Sequence, residues 1–332
     1  MKYKPGITLI ILILALGIFL FGFPEGVGED LTTIPEIRFM AGYKAQANLP
    51  FVGVYVAQEK GFYQAAGLKV TIQHSTGRGE HVQYLAAGKV DVITADAANV
   101  IQRRTVAGVP LVSIALIGQN GQQAFAALKS SQITTIQDWR GKTIGFKGTP
   151  TFDLLALLKE NNLEIDEVDL VNVGFDPRVL IEGLVDVYPV YKSNEPYLLA
   201  KLGYETTLWD PGELGIETLG LSYVTSDQVM AEKEAELITF LKGTLRGIQY
   251  AEDNQEEAVE IVLKYAGAET DREHMLFMLQ TELKEAASPM GYGFQDLERW
   301  RSLQQEMYDH GEIESLIAID EFINTSLWEK AQ

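Results

Sequence analysis

The residues of this chain that could recognise a small molecule are amides, aromatic rings and isolated carboxylates, set in loops that follow short β-branched segments. Tyr43, Gln46 and Asn48 follow the first such segment, and Asp96 and Asn99 follow a later one. Gln119 and Gln122, with Asn120 and Gln123 beside them, form a run of four amides within five residues. Thr149, Thr151 and Phe152 come after Lys142–Phe146, Phe175 and Asp176 come after Leu170–Val173, and Tyr188, Tyr191, Asn194 and Glu195 close the set. Rings offer offset stacking and amides supply both donors and acceptors, which together suit the face and edge of a flat, neutral heteroaromatic. An anionic ligand would recruit arginine forks or an open helix N-terminus, and the cations near these loops, such as Lys147 and Lys192, are few and unclustered. Plainer roles remain open for each group: a polar turn for the Tyr43 loop, a helix cap for Asp96, surface exposure for some of the amides and core packing for the tyrosines.

Covalent and metal chemistry find little support. There is no cysteine, which excludes a disulfide framework, a thiol nucleophile, a thiolate metal site and a lipid-anchored cysteine. The four histidines, His74, His81, His274 and His310, are scattered, and no Ser/His/Asp spacing suggests an activated nucleophile. Gly77-x-Gly79 is too short for a dinucleotide fingerprint. No catalytic residue, metal ligand or cofactor is therefore expected. With 46 acidic and 27 basic residues the net charge is -19, which opposes nucleic acid and anionic lipid as partners.

The elements that must position the loops are organised around a repeat. Leu85–Asp96 and Leu180–Tyr191 match at an offset of 95 residues, pairing Gly88 with Gly183 and Asp91 with Asp186. Each copy reads as a helix ending at a glycine, then a β-branched strand after the aspartate. At 332 residues the chain exceeds the usual size of one core, so the repeat suggests two lobes on one plan. Short strands and helices alternate through Glu36–Ala41, Val52–Lys60, Lys69–Gln73, Val90–Thr94, Ala97–Ala107 and Leu111–Leu116. They resume through Ala124–Lys129, Lys142–Phe146, Phe152–Glu160 and Leu170–Val173. This traffic predicts an α/β fold with a mostly parallel sheet covered on both faces. Leu219–Ser226 is a returning strand, and Met230–Glu252, Gln255–Ala266, Thr270–Glu285 and Phe294–His310 are amphipathic helices whose plainest role is packing. The expected division is residues 31–123 plus 222–332 for one lobe and 124–221 for the other.

Lys2 and Lys4 precede an uncharged apolar run over Ile7–Phe23. This is the pattern of an uncleaved membrane anchor or of a cleaved export signal, followed by a polar tether. Residues 1–30 are assigned to it, and either reading places the body of the protein outside the cytoplasmic membrane.

Gly53-Val54-Tyr55-Val56-Ala57-Gln58-Glu59-Lys60-Gly61-Phe62-Tyr63, followed by Gly67-Leu68-x-Val70, resembles the first lobe of thiamine-pyrimidine-type solute-binding proteins of ABC importers. Leu85–Asp91, Pro110–Ile114, Asp138–Gly145 and Asn254–Ala258 resemble further phrases of that family in the same order. The resemblance implies a two-lobed periplasmic binding protein type II fold with a cleft between the lobes, a monomer that captures a small molecule there, and ABC permease and ATPase subunits as partners. The loop Gly42–Phe51 lacks the Trp-Pro-Asn-x-x-His-like phrase of the pyrimidine binders, and no Trp precedes Gly148. These departures set riboflavin ahead of a thiamine pyrimidine precursor as the expected ligand. A pyrimidine-forming enzyme of the same fold and a membrane-tethered sensor module are the remaining readings, the enzymes differing by a cysteine-rich run that this chain lacks.

Overall fold

Strand β1 (Glu36–Ala41) shows how the central sheet is built. Its residues alternate between two faces, with Ile37, Phe39 and Ala41 in one apolar core and Met40 in another. A strand buried on both sides must sit between two layers of helices. The computed structural model describes residues 34–332, and the anchor or signal expected at residues 1–30 lies outside them.

From β1 the chain runs through α1 (Leu49–Glu59), α2 (Phe62–Ala65), β2 (Lys69–His74), α3 (Glu80–Ala86), β3 (Val92–Asp96), α4 (Ala97–Thr105) and β4 (Leu111–Leu116). A second group follows: β5 (Gln123–Leu128), β6 (Thr143–Phe146), α5 (Phe152–Glu160), β7 (Asp169–Asn172), α6 (Arg178–Ile181), β8 (Tyr188–Tyr191), α7 (Glu195–Lys201) and β9 (Thr206–Trp209). The chain then returns as β10 (Leu221–Ser226) and ends in helices α8 (Asp227–Glu232), α9 (Glu234–Asp253), α10 (Gln255–Ala266), α11 (Arg272–Glu285), α12 (Leu297–Asp309) and α13 (Ser326–Ala331). Among the described residues no helix is long and apolar enough to cross a membrane.

The first sheet has the order β2-β1-β3-β10-β4. Its β1–β2 and β1–β3 pairs are parallel, but β10 enters antiparallel to both β3 and β4. The sheet is therefore mostly parallel, as expected, with β10 its one reversed strand. Local βαβ patterning does not register a strand that returns after the whole second group. In the second group β5 lies between β8 and β9, antiparallel to both, while β6 and β7 form a separate parallel pair. The single helix expected over Met230–Glu252 is corrected, since it is broken at Lys233 into α8 and α9.

Gly88 and Gly183, the paired glycines of the repeat, both adopt left-handed backbone, with φ of 65° and 69°. A side chain would be strained there, and each turn releases the chain from a helix into the next strand. The two segments that join the sheets touch backbone to backbone. Gly220 N–H donates to Gly118 O at 2.9 Å, and a Cβ placed on Gly118 would lie 2.9 Å from Gly220 Cα. The Arg299 guanidinium of α12 ties both segments together, donating to Gln119 O at 2.7 Å, to Thr218 O at 3.3 Å and to Glu217 at 2.7 Å. A continuous core carries Trp300, Leu303 and Met307 of α12 against Leu154, Leu157 and Trp139 of the second group. Burying one such large apolar side chain contributes roughly 1.5–3 kcal/mol.

Candidate functional site

One wall of the cleft is the loop between β1 and α1. Asn48 occupies the position before α1, yet its side chain makes no cap to that helix. It accepts from Gln46 Nε2 at 2.6 Å and donates through Nδ2 to Glu282 Oε1 at 2.8 Å. Glu282 of α11 takes over the capping role, accepting the Leu49 N–H at 3.4 Å, where the positive end of the α1 dipole favours a carboxylate. The same Oε1 accepts from Ser193 Oγ, just after β8, at 3.0 Å. Glu282 is 3% exposed. Burial pushes its carboxyl up to about 7, against the pull of Ser193, Asn48 and Leu49, while the charge of Asp96 adds to the rise. Tyr43, half-buried in this loop, lies 6.3 Å from the ring of Phe175, which is 62% exposed.

The facing wall comes from the second group. Lys147 pairs with Glu195 at 2.6 Å, and Glu195 accepts the Tyr191 N–H through its other oxygen at 2.7 Å. The Lys147 ammonium lies 5.0 Å from the centre of the Tyr188 ring and 5.3 Å from that of Phe175, within cation–π range. Tyr188 donates its hydroxyl to Gly174 O at 2.8 Å, so its polar end serves the fold and its ring faces the lysine.

A cavity of about 250 Å³ is lined by Asp96, Asn99, Gln122, Thr149, Thr151, Phe152 and Tyr191, together with Gln102, Asp153, Leu303, Met307 and Glu312. Gln122 is 2% exposed, and neither its amide nitrogen nor its amide oxygen has a hydrogen-bond partner. A buried amide left unpaired costs stability, so its donor and acceptor are presented to whatever fills the cavity. Asp96 is open to the cavity but enclosed by protein; that enclosure, reinforced by Asp153, pushes its carboxyl up to about 6. Burial also raises Asp153, and burial and Asp153 together raise Glu312. The Tyr191 hydroxyl is raised too, first by burial and then by Asp96, Glu282 and Glu195, which places one ring among three carboxylates. No lysine or arginine among the described residues lines this cavity. It can therefore stack a ring against Tyr191 and Phe152, read one donor–acceptor edge with Gln122, and accept amino hydrogens at Asp96.

The structure gathers Asp96, Asn99, Gln122, Thr149, Thr151, Phe152 and Tyr191 around one cavity and sets Tyr43, Gln46, Asn48, Phe175, Tyr188 and Glu195 in the networks of the cleft walls. Three predicted residues lie outside both the cavity lining and the wall networks. Gln119 donates its amide to Leu116 O and Phe294 O, Asp176 pairs with Arg178 and accepts its N–H at 3.0 Å, and Asn194 precedes α7 with no side-chain cap. Sequence reasoning did not identify Asp153, Ser193, Glu282 or Glu312 as site residues. Asp153 adjoins a predicted residue and could have been found, whereas Glu282 lies inside a helix with no local signal. A second cavity of about 560 Å³, lined by residues including Asp210, Glu217, Glu285 and Arg299, takes only Asn120 from the predicted run of amides. Among the described residues there is no group of three or more His, Asp or Glu side chains arranged to hold a metal.

Two groups of strands joined by paired connections, with the cleft between them, define the periplasmic binding protein type II fold. The periplasmic aliphatic sulphonate binding protein SsuA from Escherichia coli has this fold at a TM-score of 0.69, covering 88% of this chain and 93% of its own at 15% identity. Residues 48–258 match the NMT1/THI5-like family, and the chain belongs to it. The chain is similar to the formylaminopyrimidine-binding protein of Halalkalibacterium halodurans, 24% identical over 330 residues that cover 95% of this chain and 97% of the relative. It is also similar to the riboflavin-binding protein RibY of Chloroflexus aurantiacus, 24% identical over 274 residues that cover 78% of this chain and 77% of the relative.

Proposed function

We propose that this protein is the extracytoplasmic solute-binding subunit of an ABC importer, and that it captures a flat aminopyrimidine of the thiamine-precursor type and passes it to a membrane permease. It works by binding without catalysis, as a monomer, held at the membrane by residues 1–30, with residues 31–123 plus 222–332 as one lobe and 124–221 as the other. The cavity carries the ligand reading: about 250 Å³, two rings, the unpartnered Gln122 amide and the carboxylate of Asp96. An aminopyrimidine presents a stackable face, ring-nitrogen acceptors and an amino donor, which match those groups one for one. Its nearly full-length similarity to a formylaminopyrimidine-binding protein supports the same reading.

Riboflavin, which the sequence put first, is the second reading, favoured by the similarity to RibY. Its tricyclic ring and ribityl tail make it a drug-sized ligand, and pockets for such ligands run from about 300 Å³ upward. The cavity falls below that range, so the order of the two is reversed. Calorimetric titration of the full chain with formylaminopyrimidine and with riboflavin distinguishes them. Submicromolar binding of the pyrimidine with unchanged flavin fluorescence is the expected result. Flavin quenching without any response to the pyrimidine would restore riboflavin, and silence with both would remove the ligand class altogether.

A further inference from the structure

Helix α11 presents one face to the segment from Lys192 to Lys201. Glu285 pairs with Lys192 at 3.1 Å, Glu282 accepts from Ser193, His274 stacks on Tyr197 with ring centres 4.7 Å apart, and Asp271 pairs with Lys201. Three of these contacts are ordinary ion pairs or stacked rings that hold two surfaces together. Glu282 is different, because it also reaches back to the β1–α1 loop. A single oxygen, Oε1, accepts from Asn48 on one side and Ser193 on the other, and Oε2 accepts the first N–H of α1.

A buried carboxylate without a cation of its own is expensive to keep. The ammonium of Lys192 is already shared between Asp210 and Glu285, and the titratable groups whose charges couple to Glu282 are Asp96 and Tyr191, neither of them a cation. Packing alone would be served better by an apolar residue at this position. What the carboxylate supplies is a bridge that no apolar residue can make between the Asn48 loop and the Ser193 segment.

We infer that Glu282 is a positioning residue that couples the Gln46–Asn48 loop to docking of the Ser193 segment, so that Asn48 is set for the ligand when the cleft closes. This rests on the binding reading given above. The carboxylate orients Asn48 and caps α1 only while Ser193 shares its oxygen, so loosening either partner loosens the other. Gln46 follows, because its amide is held by Asn48.

Hydrogen exchange of the full chain without ligand tests the coupling, beside calorimetry with formylaminopyrimidine. Glu282→Met is expected to raise exchange both at residues 49–52 and at residues 193–197, and to weaken pyrimidine binding roughly tenfold or more, the loss of a hydrogen bond to a charged group. Glu282→Gln, which keeps one oxygen for Asn48 and Ser193 but turns its NH2 toward the Leu49 N–H, is expected to restore protection at residues 193–197 and pyrimidine binding. Ser193→Ala, which leaves the first lobe untouched and serves if the methionine variant does not fold, is expected to raise exchange at residues 49–52 across the cleft. Unchanged exchange at 49–52 in Ser193→Ala, or a Glu282→Met effect confined to one segment, would overturn the coupling. Failure of the wild-type chain to bind the pyrimidine would sink the ligand reading alone, since the exchange experiment contains no ligand.

Discussion

Asp91 and Asp186 hold equivalent positions ahead of β3 and β8, each accepting a backbone N–H of a neighbouring strand, Arg38 of β1 at 2.8 Å and Thr143 of β6 at 2.9 Å. Their own N–H groups return the bond, to Arg38 O and Thr143 O, both at 2.8 Å. The repeat legible in the sequence is thus a device that registers a strand against its neighbour. The copies differ in electrostatics, for Asp91 is buried and also binds the Arg38 guanidinium and, at 3.0 Å, Lys233.

Removing the two carboxylates should therefore have unequal effects. Asp91→Ala is expected to lower unfolding stability by about 3 kcal/mol, because it leaves two cations facing an emptied buried site. Asp186→Ala is expected to cost about 1 kcal/mol, the scale of one hydrogen bond. Urea denaturation measures both, and ligand affinity should stay unchanged in the folded variants; equal losses would show that the extra pairing of Asp91 contributes nothing.

Tyr191→Ala is expected to weaken pyrimidine binding by about 1 kcal/mol or more, while Tyr191→Phe keeps most of the affinity, because stacking belongs to the ring. Calorimetry on the two variants decides it. Full affinity in a folded alanine variant would make the tyrosine a packing residue.

Gln122→Leu should move stability and affinity in opposite directions. Replacing a buried amide that has no partner removes a desolvation penalty of about 1–3 kcal/mol, so the ligand-free protein gains stability. The same change deletes the group that reads the ligand edge, and affinity falls by a comparable amount. A variant that loses stability would show that the amide is satisfied within the fold.

Glu282 gives a pH dependence whose sign is fixed. Its carboxyl rises from an ordinary 4.5 to about 7 on folding, so the folded state binds the proton more tightly. The resulting stability is fully present below about 4.5 and is lost as pH rises through about 7, a change on the order of 3 kcal/mol. The stability of the wild type relative to Glu282→Gln should therefore fall across that window in denaturation experiments at pH 5 and pH 8. A difference independent of pH would refute the shift.

Local pattern carried much of the fold. Glu36–Ala41, Phe152–Glu160 and Gln255–Ala266 were legible to the residue, because periodicity and flanking turns fix such elements within their own span. The place of β10 between β3 and β4 was not legible, since pairing between strands far apart in sequence leaves no mark on either strand's pattern. The repeat held in its pairing: β3 runs parallel to β1 and antiparallel to β10, and the second copy meets β6 in parallel at Ile144 and Val187 while β8 runs antiparallel to β5. Of the site, residues in strand-end loops could be found because position in an open α/β sheet singles them out. Glu282 could not, because its partner Asn48 is 234 residues away and a glutamate within an amphipathic helix has the spacing of a surface residue.

The contact between Gly118 and Gly220 makes the two connections behave as one braided cord instead of two separate ropes. A side chain at either glycine would pry the strands of the cord apart and give the halves a new resting angle. The opening of the cleft is thus tuned where the two backbones meet. Side chains around Gln122 and Tyr191 can then be exchanged to suit another ring system while the mechanical joint stays as it is.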